Sequence, residues 1–174
     1  MTVALRVSAL DANIAYRHLG DEAPELAATS TPDWMLYLYA DFQQYDGFVT
    51  WDVWQLDQDT ELIALALTNL DVVTWRGGID DPVVKWGQLL AYMPQIVKAR
   101  AACSPAIYVV PTPRWSRSSN IEKASHRARQ READDRISYN ERRGTALREM
   151  RQELELGGKH DLLAHLARKT GSLP

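Results

Sequence analysis

The segment GFVTWDVWQLDQDTELIALALTNLDVVTW, residues 47–75, changes periodicity twice, and the fold class turns on how it is read. Val49, Trp51 and Val53 alternate with Thr50 and Asp52, the period-two pattern of a half-buried strand, so 47–57 is expected to be extended. Residues 60–70 are ambiguous. A turn at Asp57–Thr60 followed by alternation would make them a hairpin partner. Leu and Ala dominate, however, and these residues lose little on entering a helix, so a helix is expected. Val72–Gly78 reads as a short strand or an extended exit. A helix set between strand signals predicts an α+β chain, rich in helix, with a small β element.

Upstream, residues 3–18 suggest a first helix with Leu5, Leu10, Ile14 and Leu19 loosely on one face, and 20–33 reads as a loop around Pro24 and Pro32. Asp33 is placed to cap a helix through WMLYLYADFQQY. Downstream, Asp81–Pro82 is an N-cap and first-turn pair: the carboxylate accepts orphan amide protons, and proline has none to lose. Val83, Val84, Trp86, Leu89, Leu90 and Met93 follow on a broad apolar face. Pro94 predicts a break or kink, with a second helix to about Ala102, and 106–110 (AIYVV) a strand. Ser119–Glu122 matches a capping box, which predicts a helix from there to Arg143 stopped by Gly144. Two short helices are expected after it, over 145–156 and 160–170, closed by Gly157–Gly158 and by Gly171.

Charge divides the chain. Residues 1–113 hold 6 Lys/Arg against 14 Asp/Glu, a balance of −8, whereas residues 114–151 hold 11 against 6, a balance of +5. The expected organisation is an acidic, Trp-rich globular body over 1–113 and a basic helical arm over 114–174. Such asymmetry points to an interaction, with a polyanion or with another copy of the chain itself.

The arm's most basic stretch, EKASHRARQREADDRISYNERR (122–143), carries six Arg and one Lys. On a helix, Ile121, Ala124 and Ala128 start an apolar stripe that Arg131, Glu132 and Asp135 end after two turns, so no core face runs its length. Lys123, Arg127 and Arg131 form a like-charged row at i, i+4, i+8, each contact costing about 0.2–0.5 kcal/mol. Arg129, Arg136 and Arg143 recur every seven residues on a roughly opposite side, and Glu132–Arg136 is the one well-ordered opposite pair. Three readings compete: a solvated arm, a phosphate-binding helix, and an arm docked on an acidic body, its own or a neighbour's. The candidate contact residues are Arg114, Arg117, Lys123, Arg127, Arg129, Arg131, Arg136, Arg142 and Arg143. Trp and Arg are enriched at interface hot spots, which adds Trp51, Trp54, Trp75, Trp86 and Trp115 as candidate interface aromatics, although most tryptophans in such a body belong to the core.

Several chemistries are disfavoured. Asp57, Asp59 and Glu61 begin like a calcium loop, but Leu62 and Thr68 stand where the glycine and the closing acid belong. His160 and His165 fall about 140° apart on a helix, wrong for one metal. Gly77–Gly78 lacks the surroundings of a phosphate cradle. A carboxylate nuclease could draw on Asp46, Asp52, Asp71, Asp80 and Lys85, but an acidic body always supplies such sets. Cys103 reads as a small core residue rather than a nucleophile. No catalytic residue, metal or cofactor is expected. The longest apolar run, Leu62–Leu67, is too short for a bilayer, and no charged n-region with an unbroken h-region opens the chain. One cysteine allows no intrachain disulfide. The expected setting is cytoplasmic or virion-associated. The Ala-, Arg- and Trp-rich composition suits a high-GC bacterium or its phage. The expected function is a non-enzymatic assembly subunit, such as a phage virion or tail component, whose arm docks on neighbouring subunits. The alternative is a nucleic-acid-binding protein that uses the Arg-rich helix.

Overall fold

The computed structural model describes residues 15–27, 30–51, 54–75, 81–110 and 121–171, with backbone alone at 54–55 and 133–135. The predicted first helix over 3–18 falls largely outside them. The chain forms two compact units, Met1–Pro32 and Asp33–Pro174. In the first, a single turn, α1 (Leu19–Glu22), is capped by His18, whose Nδ1 accepts from the Gly20 amide at 3.2 Å.

The second unit is built around a four-stranded sheet in the order β1 (Gly47–Val49), β2 (Asp71–Trp75), β3 (Ile107–Val110), β4 (Ile121–Glu122). β1, β2 and β3 are parallel, with Phe48 opposite Val72 and Val72 opposite Ile107; β4 returns antiparallel, with Glu122 opposite Ile107. Parallel neighbours cannot be joined by a hairpin. The helix α3 (Asp59–Leu67) therefore connects β1 to β2, and α4 (Pro82–Cys103) connects β2 to β3. This is how residues 47–75 resolve: strand, helix, strand, with the first strand shorter than its alternation predicts and a 3₁₀ turn at Trp54–Asp57 after it. All five residues of β2 are buried, as befits a strand covered on both faces. The chain is an α-rich α+β protein.

Three expectations are corrected. Pro94 does not break α4, which runs from Pro82 to Cys103. The proline is exposed, so the hydrogen bond it forfeits is lost on the outer side of the helix and not against the core. No helix starts at the 119–122 box: Ile121 and Glu122 give their backbone to β3, and α5 (Ala124–Asp135) begins after Lys123. Nor does the helix reach Arg143. Arg136 adopts left-handed geometry (φ 60°, ψ 14°), and a new helix, α6 (Tyr139–Leu156), passes straight through Gly144. Its start is capped by Ser138, whose hydroxyl accepts from the Glu141 amide at 3.2 Å. Ser138–Glu141 is itself an S-x-x-E signature, and it prevails over the one at 119–122. The expected last helix is present as α7 (His160–Thr170), ended by Gly171 at φ 67°.

The basic segment is not a free-standing arm. α3 packs against α5 and α6 as well as α2 (Asp33–Phe42), and α7 packs on α6 and α2. Leu38, Leu62, Ile63, Met150, Leu154 and Leu166 are fully buried where these helices meet. No division into body and arm therefore falls at 113/114; residues on both sides of that boundary share one core. Among the described residues, no helix is long and apolar enough to cross a membrane.

This packing has two measurable consequences. Each buried Leu, Ile or Met is worth about 1.5–3 kcal/mol, so a chain ending at Pro113, which loses three of those six, is expected to show no cooperative thermal transition by circular dichroism. Glu61 of α3 is buried at 6% exposure, and its Oε2 has no partner. Burial chiefly, with the Asp33 and Glu153 charges adding to it, pushes its carboxyl above the ordinary 4.5. The folded chain thus holds this proton more tightly than the unfolded chain. The resulting stability is full below the ordinary value and is lost as pH rises through the raised one. Glu61→Gln is expected to remove that contribution, read as a urea midpoint that falls less than the parent's as pH rises from mildly acid to neutral.

Candidate functional site

The two rows of cations on the basic segment have different fates. In the first row, Arg127 Nη2 reaches Asp57 at 2.7 Å and Arg131 Nε reaches Asp59 at 3.4 Å. Arg142, from α6, joins the same cluster with only 5% of its side chain exposed. Its Nη1 donates to Asp59 Oδ2 at 2.6 Å, its Nη2 to the Arg131 carbonyl at 3.2 Å and its Nε to the Ile137 carbonyl at 3.3 Å. Asp57 and Asp59 lie at the start of α3, where the helix dipole favours acids. These carboxylates, which resemble a calcium loop in sequence, are therefore engaged by arginines.

The second row stays outside. Arg129 and Arg136 are exposed and Arg143 is half-buried. Arg129 lies over the Tyr139 ring, 5.3 Å from its centroid, and Arg143 follows Tyr139 by one turn of α6. Among the described residues none of the three makes an ion pair, and Lys123 is likewise exposed without one. The expected Glu132–Arg136 pair is absent because the backbone leaves the helix at Arg136. Arg114, Trp115 and Arg117 lie outside the described residues.

Three of the tryptophans gather at the carboxyl ends of the parallel strands. Trp51 meets Trp75 edge-on at 6.3 Å and Trp86 at 6.4 Å, with Lys85 Nζ 5.1 Å from the Trp51 ring centroid. Trp75 is 5% exposed and belongs to the core, while Trp51 and Trp86 are half-buried. Trp54 is in the 3₁₀ turn.

α4 presents an outer face of unusual composition. Only Leu89 and Ile96 of its 22 residues are buried. Ten are exposed, and of these only Gln95 and Lys98 are polar. Val83 is 78% exposed, Val84 42% and Val97 45%. Between them lie Gly87, Ala91 and Pro94, and a side chain added at Gly87 would touch nothing within 4 Å. A surface helix ordinarily turns its charged residues outward. On α4 only Lys98 is both charged and exposed.

A charged cleft of about 480 Å³ opens at the amino ends of β1 and β2, lined by Asp41, Tyr45, Asp46, Arg100, His165, Arg168 and Lys169 among others. Asp41, 9% exposed, accepts from the Asn69 amide at 2.8 Å, meets His165 Nε2 at 2.6 Å and meets Lys169 Nζ at 2.8 Å. Burial alone would raise its carboxyl, but the bonds from Asn69, Lys169 and His165 outweigh that and hold it below 3.8. Across the cleft Arg100 binds Asp71 at 2.6 Å and Asp46 at 2.7 Å. Of the residues suggested for a nuclease, Asp46 and Asp71 share Arg100 and Lys85 is over Trp51, while Asp52 and Asp80 lie outside the described residues. A catalytic Asp–His pair would need a hydroxyl or thiol at the second ring nitrogen. Nδ1 of His165 faces Arg168 at 3.4 Å instead, and among the described residues no Ser, Thr or Cys lines the cleft. What this arrangement does is fasten α7 to α2 and α4 to the sheet. His165 carried no sequence signal beyond its place on the apolar side of the last helix, beside Leu162 and Leu166.

Among the described residues no group of three or more His, Cys, Asp or Glu is placed to hold a metal ion. No family model matches the chain, and no curated protein or solved structure is significantly similar to it.

The contrast between neighbouring arginines is directly measurable. Arg142→Ala removes the tie to Asp59 and to two carbonyls and is expected to cost about 1.5–3 kcal/mol. Arg143→Ala is expected to stay within about 0.5 kcal/mol of the parent. Equal losses in chemical denaturation would contradict the assignment of Arg142 as the buried tie.

Proposed function

We propose that the chain is a structural subunit of a protein assembly, of the kind from which virions and phage tails are built, and that it acts by binding and not by catalysis. One observation carries the reading: the outer face of α4 is apolar along its length. Contiguous exposed apolar surface is uncommon on monomers and marks protein contact sites. A helix of 22 residues is about 33 Å long. Its only exposed polar residues, Gln95 and Lys98, sit together in the second half. The small side chains at Gly87, Ala91 and Ala101 leave room for a facing helix or sheet to approach closely. The bridge between subunits thus moves from the basic segment to α4, because Arg127, Arg131 and Arg142 already serve the chain's own Asp57 and Asp59.

The test is the mass of the particle. Light scattering on a size-exclusion column is expected to give a multiple of the 19.7 kDa chain. The Val83→Glu, Val97→Glu double variant is expected to elute as a monomer with an unchanged circular dichroism spectrum, since both positions are exposed. A mass indifferent to both substitutions overturns the reading.

A further inference from the structure

We propose that the corner between α5 and α6 binds the phosphodiester backbone of nucleic acid through Arg129, Arg136 and Arg143. The chain has 23 acids for 20 Lys and Arg, so acids to pair with are in excess. Arg127, Arg131 and Arg142 take carboxylates of α3 and its approach, yet among the described residues Arg129, Arg136 and Arg143 meet none. Arg129 and Arg136 are exposed and Arg143 is half-buried.

Their arrangement suits a polyanion better than a point anion. Arg129 and Arg136 are seven residues apart, about 10 Å along α5, and Arg143 is about 6 Å beyond Tyr139 along α6. Three guanidinium groups so spread reach separate phosphates. Arg129 is also held in advance. A guanidinium stacked on a tyrosine ring keeps its in-plane N–H groups directed outward, the geometry that meets phosphate oxygens in pairs. The left-handed turn at Arg136 projects that side chain from the apex between the two helices.

The same surroundings disfavour an acidic protein as the occupant. A protein interface needs a desolvated apolar centre inside its polar rim. Here Ile137, 43% exposed, is the one exposed large apolar residue, among Ser125, His126, Gln130, Glu132 and Asn140. Backbone binding needs no such centre and carries no sequence information. Glu132 and Glu141 are exposed nearby and keep the affinity modest.

The experiment is fluorescence anisotropy with a labelled single strand and a labelled duplex, run on the full chain carrying Val83→Glu and Val97→Glu so that contacts are counted for one subunit. The proposal concerns a different surface from α4, so failure of either reading leaves the other standing. Three phosphate contacts predict that affinity falls about 20-fold for the single strand and about 40-fold for the duplex when salt is raised fourfold. Arg129→Gln, Arg136→Asn and Arg143→Gln together are expected to abolish binding; asparagine is chosen at 136 because it tolerates the left-handed backbone. Lys98→Gln is expected to change nothing. Flat anisotropy at low salt overturns the proposal, as does binding that survives the triple substitution. Competition by polyglutamate as effective as by an unlabelled strand also overturns it, and assigns the corner to an acidic polypeptide.

Discussion

A single guanidinium group governs the course of the chain's second half. Arg142 is buried, and a buried cation is tolerable only when its donors are met. Asp59 supplies the charge, and the carbonyls of Arg131 and Ile137 supply the rest. These partners belong to three segments: the first turn of α3, the last turns of α5, and the link into α6. Satisfying them together requires that α5 end near Asp135 and that the chain double back at once. The left-handed residue at 136 and the cap at Ser138 are the local means by which it does so. Remove the guanidinium and Asp59 keeps only Arg131, at 3.4 Å.

The same logic recurs at the opposite end of the unit. Asp41 and Asp71 are buried acids, each holding a backbone amide with one oxygen and a cation from a distant helix with the other. Asp71 begins β2 and fixes the end of α4 through Arg100; Asp41, near the end of α2, fixes α7 through His165 and Lys169. The hydrophobic core supplies most of the favourable free energy but is indifferent to direction. The ionic ties select which helix end lies against which strand.

Legibility in the sequence divides along this line. A cap signal identified α2, the Leu/Ala preference α3, an apolar stripe the later part of α6 and α7, and short apolar runs the strands β2 and β3, because each of these signals is local. The Asp81–Pro82 start of α4 was legible for the same local reason: its cap needs only neighbours, and Asp81 does accept from the Val83 amide at 2.8 Å. What local reasoning mistook was decided by partners far along the chain. Ile121 and Glu122 look like the start of a helix until β3 offers them a ladder. Residues 122–143 look unsupported because their supports, Asp57 and Asp59, lie more than sixty residues away. The Asp41–His165–Lys169 cluster combines residues 124 and 128 positions apart, a separation that no spacing rule addresses.

The charge asymmetry that divides the sequence consequently means something different in the fold. Acidic residues early in the chain and basic ones later need not be a body and an arm reaching elsewhere; here much of the imbalance is cancelled internally, across the contact of α3 with α5 and α6. That cancellation gives the remainder its significance. Once Arg127, Arg131, Arg142 and Arg100 are matched to Asp57, Asp59, Asp46 and Asp71, two surfaces stand apart among the described residues: one helix face almost without charge and one corner whose three arginines make no ion pair. Neither contributes to the core or to the ionic ties.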